Sequence, residues 1–398
     1  MLAKNTAFLS LDSILNAVFA LGISAIITNQ FGLQSLGLYA TLVTISSIAL
    51  VVLNFATQVS LKRELVLYPN KSSGMISDNL SFRLVVTAPL YIIACSIYWY
   101  FADTTEVLWL LLHIFNLGLI GMYQVAFTSL QQYAKFLYIN LFSYAVFGVA
   151  YVVFEISTPQ ILYMILAIKS TLVLLIINLL CFRPQFSKTA IYARAILLAR
   201  QNAMFMFAAL LELLILRYGI LFLSIFSEAS EVGLYSLSSN IFLALLIVPM
   251  AFIRIYYNRY LAILESDDLF QIRKDFSLVV VIVVLASIFI YFVASSTYGI
   301  VIPVIFGDGS EESLKYMLLL IIYLPIVIVS RLTSYMLSAN NFGLSLLTTN
   351  GFLLIHLVVF SIIYSHFGSI SAFVVVMIQG ELLAIFRNLY VLHKLEKF

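Results

Sequence analysis

Six ionisable residues interrupt long apolar runs: Asp12, Lys169, Glu212, Arg217, Arg331 and Glu381. A charge at bilayer depth costs at least about 2.5 kcal/mol unless it meets water or a partner, so each is a candidate for function. Arg217 and Arg331 carry planar forks that can grip two oxygens of a phosphate at once, and Lys169 offers a point charge. These three are the expected substrate-binding groups. Glu212, Glu381 and Asp12 are the expected coupling or charge-pairing groups. The alternative is that all six bridge one another as interior structural pairs. Glu212 and Arg217 lie about 140° apart around a helix, which is not the i, i+4 relation, so each needs a partner on another helix or in water.

The elements that must hold these charges are legible from composition. With 63% hydrophobic and 10% charged residues, the chain lies outside the range of soluble domains, where roughly a quarter of residues are charged. Apolar runs fall near 8–29, 36–60, 81–101, 106–129, 138–156, 159–182, 200–226, 232–256, 276–297, 314–338, 342–366 and 368–390. Each suffices for a helix across about 30 Å of hydrocarbon at roughly 1.5 Å per residue. The expectation is an all-α membrane protein of about 12 spans. A membrane barrel would instead alternate polar and apolar residues over strands of about 10, and no such alternation occurs.

Orientation follows from Lys and Arg, which resist translocation. Of the 21 such residues, three are at membrane depth, seventeen fall in segments on the side of Met1, and Lys315 alone faces the other side. Both termini are therefore expected in the cytoplasm, and the net charge of +3 reflects sidedness and not nucleic-acid binding. Asp12 lies close to the cytoplasmic end of the first span. That span is too long for a signal-peptide core and is expected to remain as a helix. Cys95 and Cys181, with His113, His356, His366 and His393, show no metal or redox spacing. No cofactor is expected.

One phrase occurs twice. Residues 31–40 read FGLQSLGLYA and residues 226–236 read FSEASEVGLYS, so Gly37-Leu38-Tyr39 returns as Gly233-Leu234-Tyr235 at an offset of 196. The same offset relates Arg63 to Arg259. Six spans on each side of the middle give two copies inserted in the same direction, related by a pseudo-two-fold along the membrane normal. The expected parts are a six-helix lobe over 1–185, a cytoplasmic linker helix over 186–200 and a second six-helix lobe over 201–398. At Gly37 and Gly233 a small residue would let neighbouring backbones approach closely. Pro89, Pro249 and Pro325 fall inside spans, where kinks are tolerated. Asn16, Asn54, Gln58, Asn116, Gln124, Asn240, Asn350 and Gln379 could line a sugar path or join helices by hydrogen bonds.

The phrases FGLQSLGLYA, Lys62-Arg63-Glu64, EVGLYS, IPVIFGDGSEESLKYM and HFGSISAF resemble the O-antigen and polysaccharide flippase family. That family belongs to a larger group with the multidrug and toxin extrusion transporters. The resemblance implies a V-shaped bundle with a central cavity that flips a polyprenyl-diphosphate-linked glycan between leaflets of the inner membrane. Its partners would be membrane lipid and, outside, a polymerase and chain-length proteins. Arg217, Arg331 and Lys169 would then meet the diphosphate. The competing expectation is an exporter of small cations, which would favour an acidic cavity, whereas three cations here stand against three anions. A polysaccharide polymerase is least expected, because the longest outer segment, about 298–313, is short and carries no nucleophile-base cluster. The chain is not expected to be an enzyme.

Overall fold

The structure, a computed structural model, describes residues 2–54, 61, 65, 69–89, 91–93, 96, 106–130, 132–182, 191–264, 269–307, 309–339, 343–365 and 370–394. Helices dominate because lipid offers no partner for a backbone N–H or C=O, so an apolar span must satisfy them internally. In chain order they are α1 (Leu2–Asn54), α2 (Ser72–Phe82), α3 (Glu106–Ser129), α4 (Tyr133–Val153), α5 (Pro159–Ile176), α6 (Ile191–Phe226), α7 (Ala229–Leu264), α8 (Leu269–Phe306), α9 (Leu314–Ala339), α10 (Gly343–Ser365) and α11 (Ile370–Lys394). Single π-type turns follow α2 at Arg83–Thr87 and α5 at Ile177–Cys181. Among the described residues nine helical stretches are long and apolar enough to cross a membrane. The chain is a multi-pass, all-α membrane protein.

Two local signals explain how the chain turns. α1 covers two expected spans and breaks at Gly32, whose φ of 82° and ψ of 172° lie outside helical space and would strain any residue with a Cβ. Pro159 opens α5 after an extended Thr158, a position where the missing N–H costs nothing. Pro249, Pro303 and Pro325 stay within α7, α8 and α9. The motif Lys62-Arg63-Glu64, Gln58, Cys95, His366 and residues 186–190 of the expected linker lie outside the described residues. The rest of that linker is continuous with the following span, since α6 runs unbroken from Ile191 to Phe226.

The chain divides into two compact units, one formed by Met1–Asp12 with Leu42–Leu210 and the other by Ser13–Thr41 with Leu211–Phe398. In the first unit α3 and α5 form the main contact. Tyr123, Phe127, Phe136 and Ile177 form its core near the π turns, with the Phe127 and Phe136 rings 5.4 Å apart. Arg83, counted from sequence among the cytoplasmic cations, is fully buried there and donates Nη1 to the Gly118 carbonyl at 2.9 Å. In the second unit α9 is central, packing on α7, α8 and α11. α8 differs from its neighbours: only 6% of its most apolar window is buried, against 56% for α9. It exposes Ile282, Leu285, Phe289 and Phe292. Water would not tolerate so continuous an apolar face, whereas acyl chains would.

The repeated phrase meets itself inside the second unit. A Cβ placed on Gly37 would collide with the Ala229 carbonyl and the Gly233 nitrogen. A Cβ placed on Gly233 would collide with the Leu33 carbonyl and the Gly37 nitrogen. Leu33 and Ala229 are themselves 196 apart, so the two halves of the contact are copies of each other. Glycine is required at both positions because backbone rests on backbone.

Candidate functional site

In the second unit a narrow cavity opens where α6, α7, α9 and α11 converge. It holds about 400 Å³ counting the space open at its mouth. Its walls are mostly apolar and aromatic, with Tyr235 and Phe242 from α7, Tyr323 from α9 and Met377 from α11. The Phe242 and Tyr323 rings stack with centroids 5.9 Å apart. Two charged residues join the lining, Arg331 and Glu381. Glu381 is only 3% exposed. Its Oε1 accepts from the Tyr323 hydroxyl at 3.1 Å, and its Oε2 accepts from the Ser330 hydroxyl. Tyr323 and Ser330 are seven residues apart on α9, about two turns, so one helix face supplies both donors.

Arg331 follows Ser330 on α9 and has a different partner. Its Nη1 donates to Glu212 Oε1 at 2.8 Å, joining α9 to α6. The arginine side chain is 18% exposed and the glutamate 56%. Arg217, on α6, is not among the residues that line this cavity. It lies within electrostatic reach of Tyr39 and Tyr235, the tyrosines of the two repeated phrases. Its Nε has no hydrogen-bond partner among the described residues. Tyr235 connects the two places, since it lines the cavity and its ring lies over Gly219 on α6, where any Cβ would strike it.

The remaining two candidates occupy the first unit. Asp12 is buried and accepts from Asn140 Nδ2 at 2.7 Å, which ties α1 to α4. Lys169, also buried, holds its ammonium 4.3 Å from the centroid of the Tyr144 ring. Such a contact is worth roughly 0.5–2 kcal/mol for a desolvated cation. His113 on α3 hydrogen-bonds the Leu166 backbone and lies within electrostatic reach of Lys169. Beside it Asn116 Nδ2 donates to Ser170 Oγ at 3.1 Å and Thr171 Oγ1 at 2.9 Å. These polar side chains join α3 to α5.

The six charges thus separate into groups, with Arg331, Glu381, Glu212 and Arg217 in the second unit and Lys169 and Asp12 in the first. Sequence reading singled out the charges and missed the hydroxyls and rings around them. Tyr323 and Ser330 gave no signal, because tyrosine and serine are common throughout the chain. Two of the amides named from sequence do join helices: Asn116 as described, and Asn240, whose Nδ2 donates to Ser24 Oγ at 3.1 Å.

No family profile matches this sequence. No curated protein matches it either. Solved structures do. A multidrug and toxin extrusion (MATE) transporter of Vibrio cholerae aligns at 15% identity over 99% of this chain and 97% of its own, with a TM-score of 0.65. A MOP superfamily transporter of Pyrococcus furiosus, described as having a binding pocket of reversed polarity that suggests a different function, aligns at 12% identity over 99% and 95%, with a TM-score of 0.66. A MATE multidrug transporter in complex with rhodamine 6G aligns at 12% identity over 98% and 95%, with a TM-score of 0.62.

These likenesses correct the expectation of a polysaccharide flippase. The matched structures are described as multidrug or superfamily transporters, and nothing in them supports a polyprenyl-linked glycan, or the polymerase and chain-length partners that would accompany it. Two physical reasons explain the error. The GLY phrase reports a backbone crossing that serves the scaffold and says nothing of cargo. The three cations expected to meet a diphosphate also do not gather at one cavity: Arg217 and Lys169 are not among its lining residues, and Arg331 is paired with Glu212. The chain has the fold of the MATE transporters of the MOP superfamily, at identities that speak for fold alone.

Proposed function

We propose that the chain exports small organic molecules across the cytoplasmic membrane, with the cavity of the second unit as its binding pocket. One observation carries the reading: a deeply buried carboxylate, Glu381, stands in an aromatic wall and is held, among the described residues, by two neutral hydroxyls. Such a group can face a cationic nitrogen while rings cover the rest of the molecule. The enclosed part of the cavity has room for little more than water in this state. Binding therefore requires α7 and α9 to part, as alternating access demands, and Pro325 provides a ready bend in α9. The seventeen-to-one distribution of Lys and Arg supports both termini inside. The duplicated phrase supports two lobes, 1–185 and 201–398, joined through 186–200.

The test is export of a fluorescent cation such as rhodamine 6G from cells stripped of their own exporters. Expression of the chain lowers dye accumulation, and Glu381→Gln weakens dye binding by about tenfold or more, the value of a charged hydrogen bond, at normal membrane abundance. If the wild-type chain neither lowers accumulation nor binds the dye when purified, the cavity is not a drug pocket.

A further inference from the structure

Away from the cavity, one cation on α11 is held in place without being neutralised. Arg387 donates Nη2 to Thr348 Oγ1 at 2.6 Å and Nη1 to Thr349 Oγ1 at 3.1 Å, both on α10. Each hydroxyl is able to accept because its own hydrogen can go to the Ser345 carbonyl, 2.9 Å away. The guanidinium is thus fixed in direction while its charge stays whole, and among the described residues no carboxylate bridges to it. Each terminal nitrogen keeps a second hydrogen for another acceptor, and Nε keeps its own. The anchor is firm: Thr349 is buried and lies 3.1 Å from Asn388 Oδ1, while Asn388 Nδ2 donates to Thr333 on α9 at 3.1 Å.

These bonds join the beginning of α10 to the end of α11, so the two helices run antiparallel and Arg387 stands toward one face of the bilayer. Lys394, exposed, follows it on the same side of α11 about two turns further out. In the opposite direction the surface is apolar. Thr348, Phe352, Ile355 and Val359 recur at helical spacing along α10 and all are exposed, as are Leu383 and Phe386 beside Arg387 on α11. A fixed guanidinium at the head of an apolar stripe complements a phospholipid, whose phosphate can take two N–H bonds at once while a chain lies along the helix. A small soluble anion would use the head and gain nothing from the stripe. We propose that this face of α10 and α11 binds one anionic phospholipid from the leaflet on the side of the C terminus, its phosphate on Arg387 and an acyl chain along Phe352, Ile355 and Val359. The inference does not depend on what the cavity carries.

A matched pair of lipids tests it. Full-length protein in detergent is titrated with phosphatidylglycerol, which is anionic, or with phosphatidylcholine of the same chains, which is net neutral, and bound lipid is counted by native mass spectrometry. The first bound phosphatidylglycerol should be held about fivefold more tightly than phosphatidylcholine, equivalent to about 1 kcal/mol. Arg387→Gln should bring that ratio close to unity. Lys135→Gln, which removes an exposed cation from the first unit, should leave it unchanged. Arg387→Lys, which keeps the charge in a protein that need not lose its fold, should lower the ratio by about half, because a point charge cannot hold both threonines and a phosphate together. Equal affinities in the wild type, or a full preference kept by Arg387→Gln or Arg387→Lys, overturn the inference. An equal fall on Lys135→Gln overturns it too, since the attraction would then belong to the whole basic side. Displacement of the bound lipid by inorganic phosphate would leave the stripe idle and overturn the lipid as occupant.

Discussion

In the first unit Asp12 is met by an amide and Lys169 by the face of a tyrosine, inside helix interfaces joined by further amides and hydroxyls. In the second, Arg331 is met by a carboxylate across two helices, and Glu381 stands in the wall of a cavity. The difference teaches that a charge at membrane depth has two separate uses. Where it lies inside a closed helix interface, it orders the interface. Where a cavity adjoins it, the same expense leaves a charge that a guest can meet.

The comparison predicts a graded series of effects. The largest is expected for Glu381→Leu, which strips the acceptor from Tyr323 and Ser330 and the carboxylate from the cavity. Two orphaned hydroxyls cost about 1–3 kcal/mol each, and dye binding is lost as well. Thermal unfolding and polarisation titration of the same sample would register both losses, and full binding by the leucine variant would dissolve the distinction between the units. A middle effect is expected for Asn140→Leu, which leaves Asp12 without its amide donor. Stability should fall by about 1–3 kcal/mol while export per folded molecule stays unchanged. Export that vanishes at normal abundance would mean that Asp12 does more than order α1 against α4. The smallest is expected for Lys169→Met: replacing a buried charge by an apolar chain of similar length is often neutral or stabilising, so melting should hold or rise by up to about 1 kcal/mol. A marked loss of export there would move Lys169 into the working class.

Much of the fold could be read in advance because lipid imposes a single rule on the backbone, and long apolar runs obey it. The turn at Gly32 was less legible, since one glycine makes the break inside an otherwise continuous helix. The rarity of charge in apolar sequence singled out six residues, yet could not pair them. Glu212 and Arg331 are 119 residues apart, and Ser330 and Glu381 are 51 apart. Only the packing of α6, α9 and α11 brings them together. The family resemblance reached the fold of the larger group and not the cargo for a related reason: short loop phrases constrain how helices start, and helix starts are shared by transporters with unlike cargo.

The crossing of Gly37 and Gly233 has a consequence for ancestry. Each glycine rests on the backbone of the other, and Leu33 and Ala229 repeat the relation. Mutual contact between identical patches is the mark of an isologous interface, the kind that two copies of one chain form. A half-length precursor could make this crossing with a second copy of itself, and any substitution there would strike both sides at once. Fusion into one chain releases that tie. At the same 196-residue offset Asn16 now corresponds to Glu212, and Leu21 to Arg217. Lys135, by contrast, corresponds to Arg331. The crossing has kept the symmetry of a dimer, while Glu212 and Arg217 belong to one copy alone.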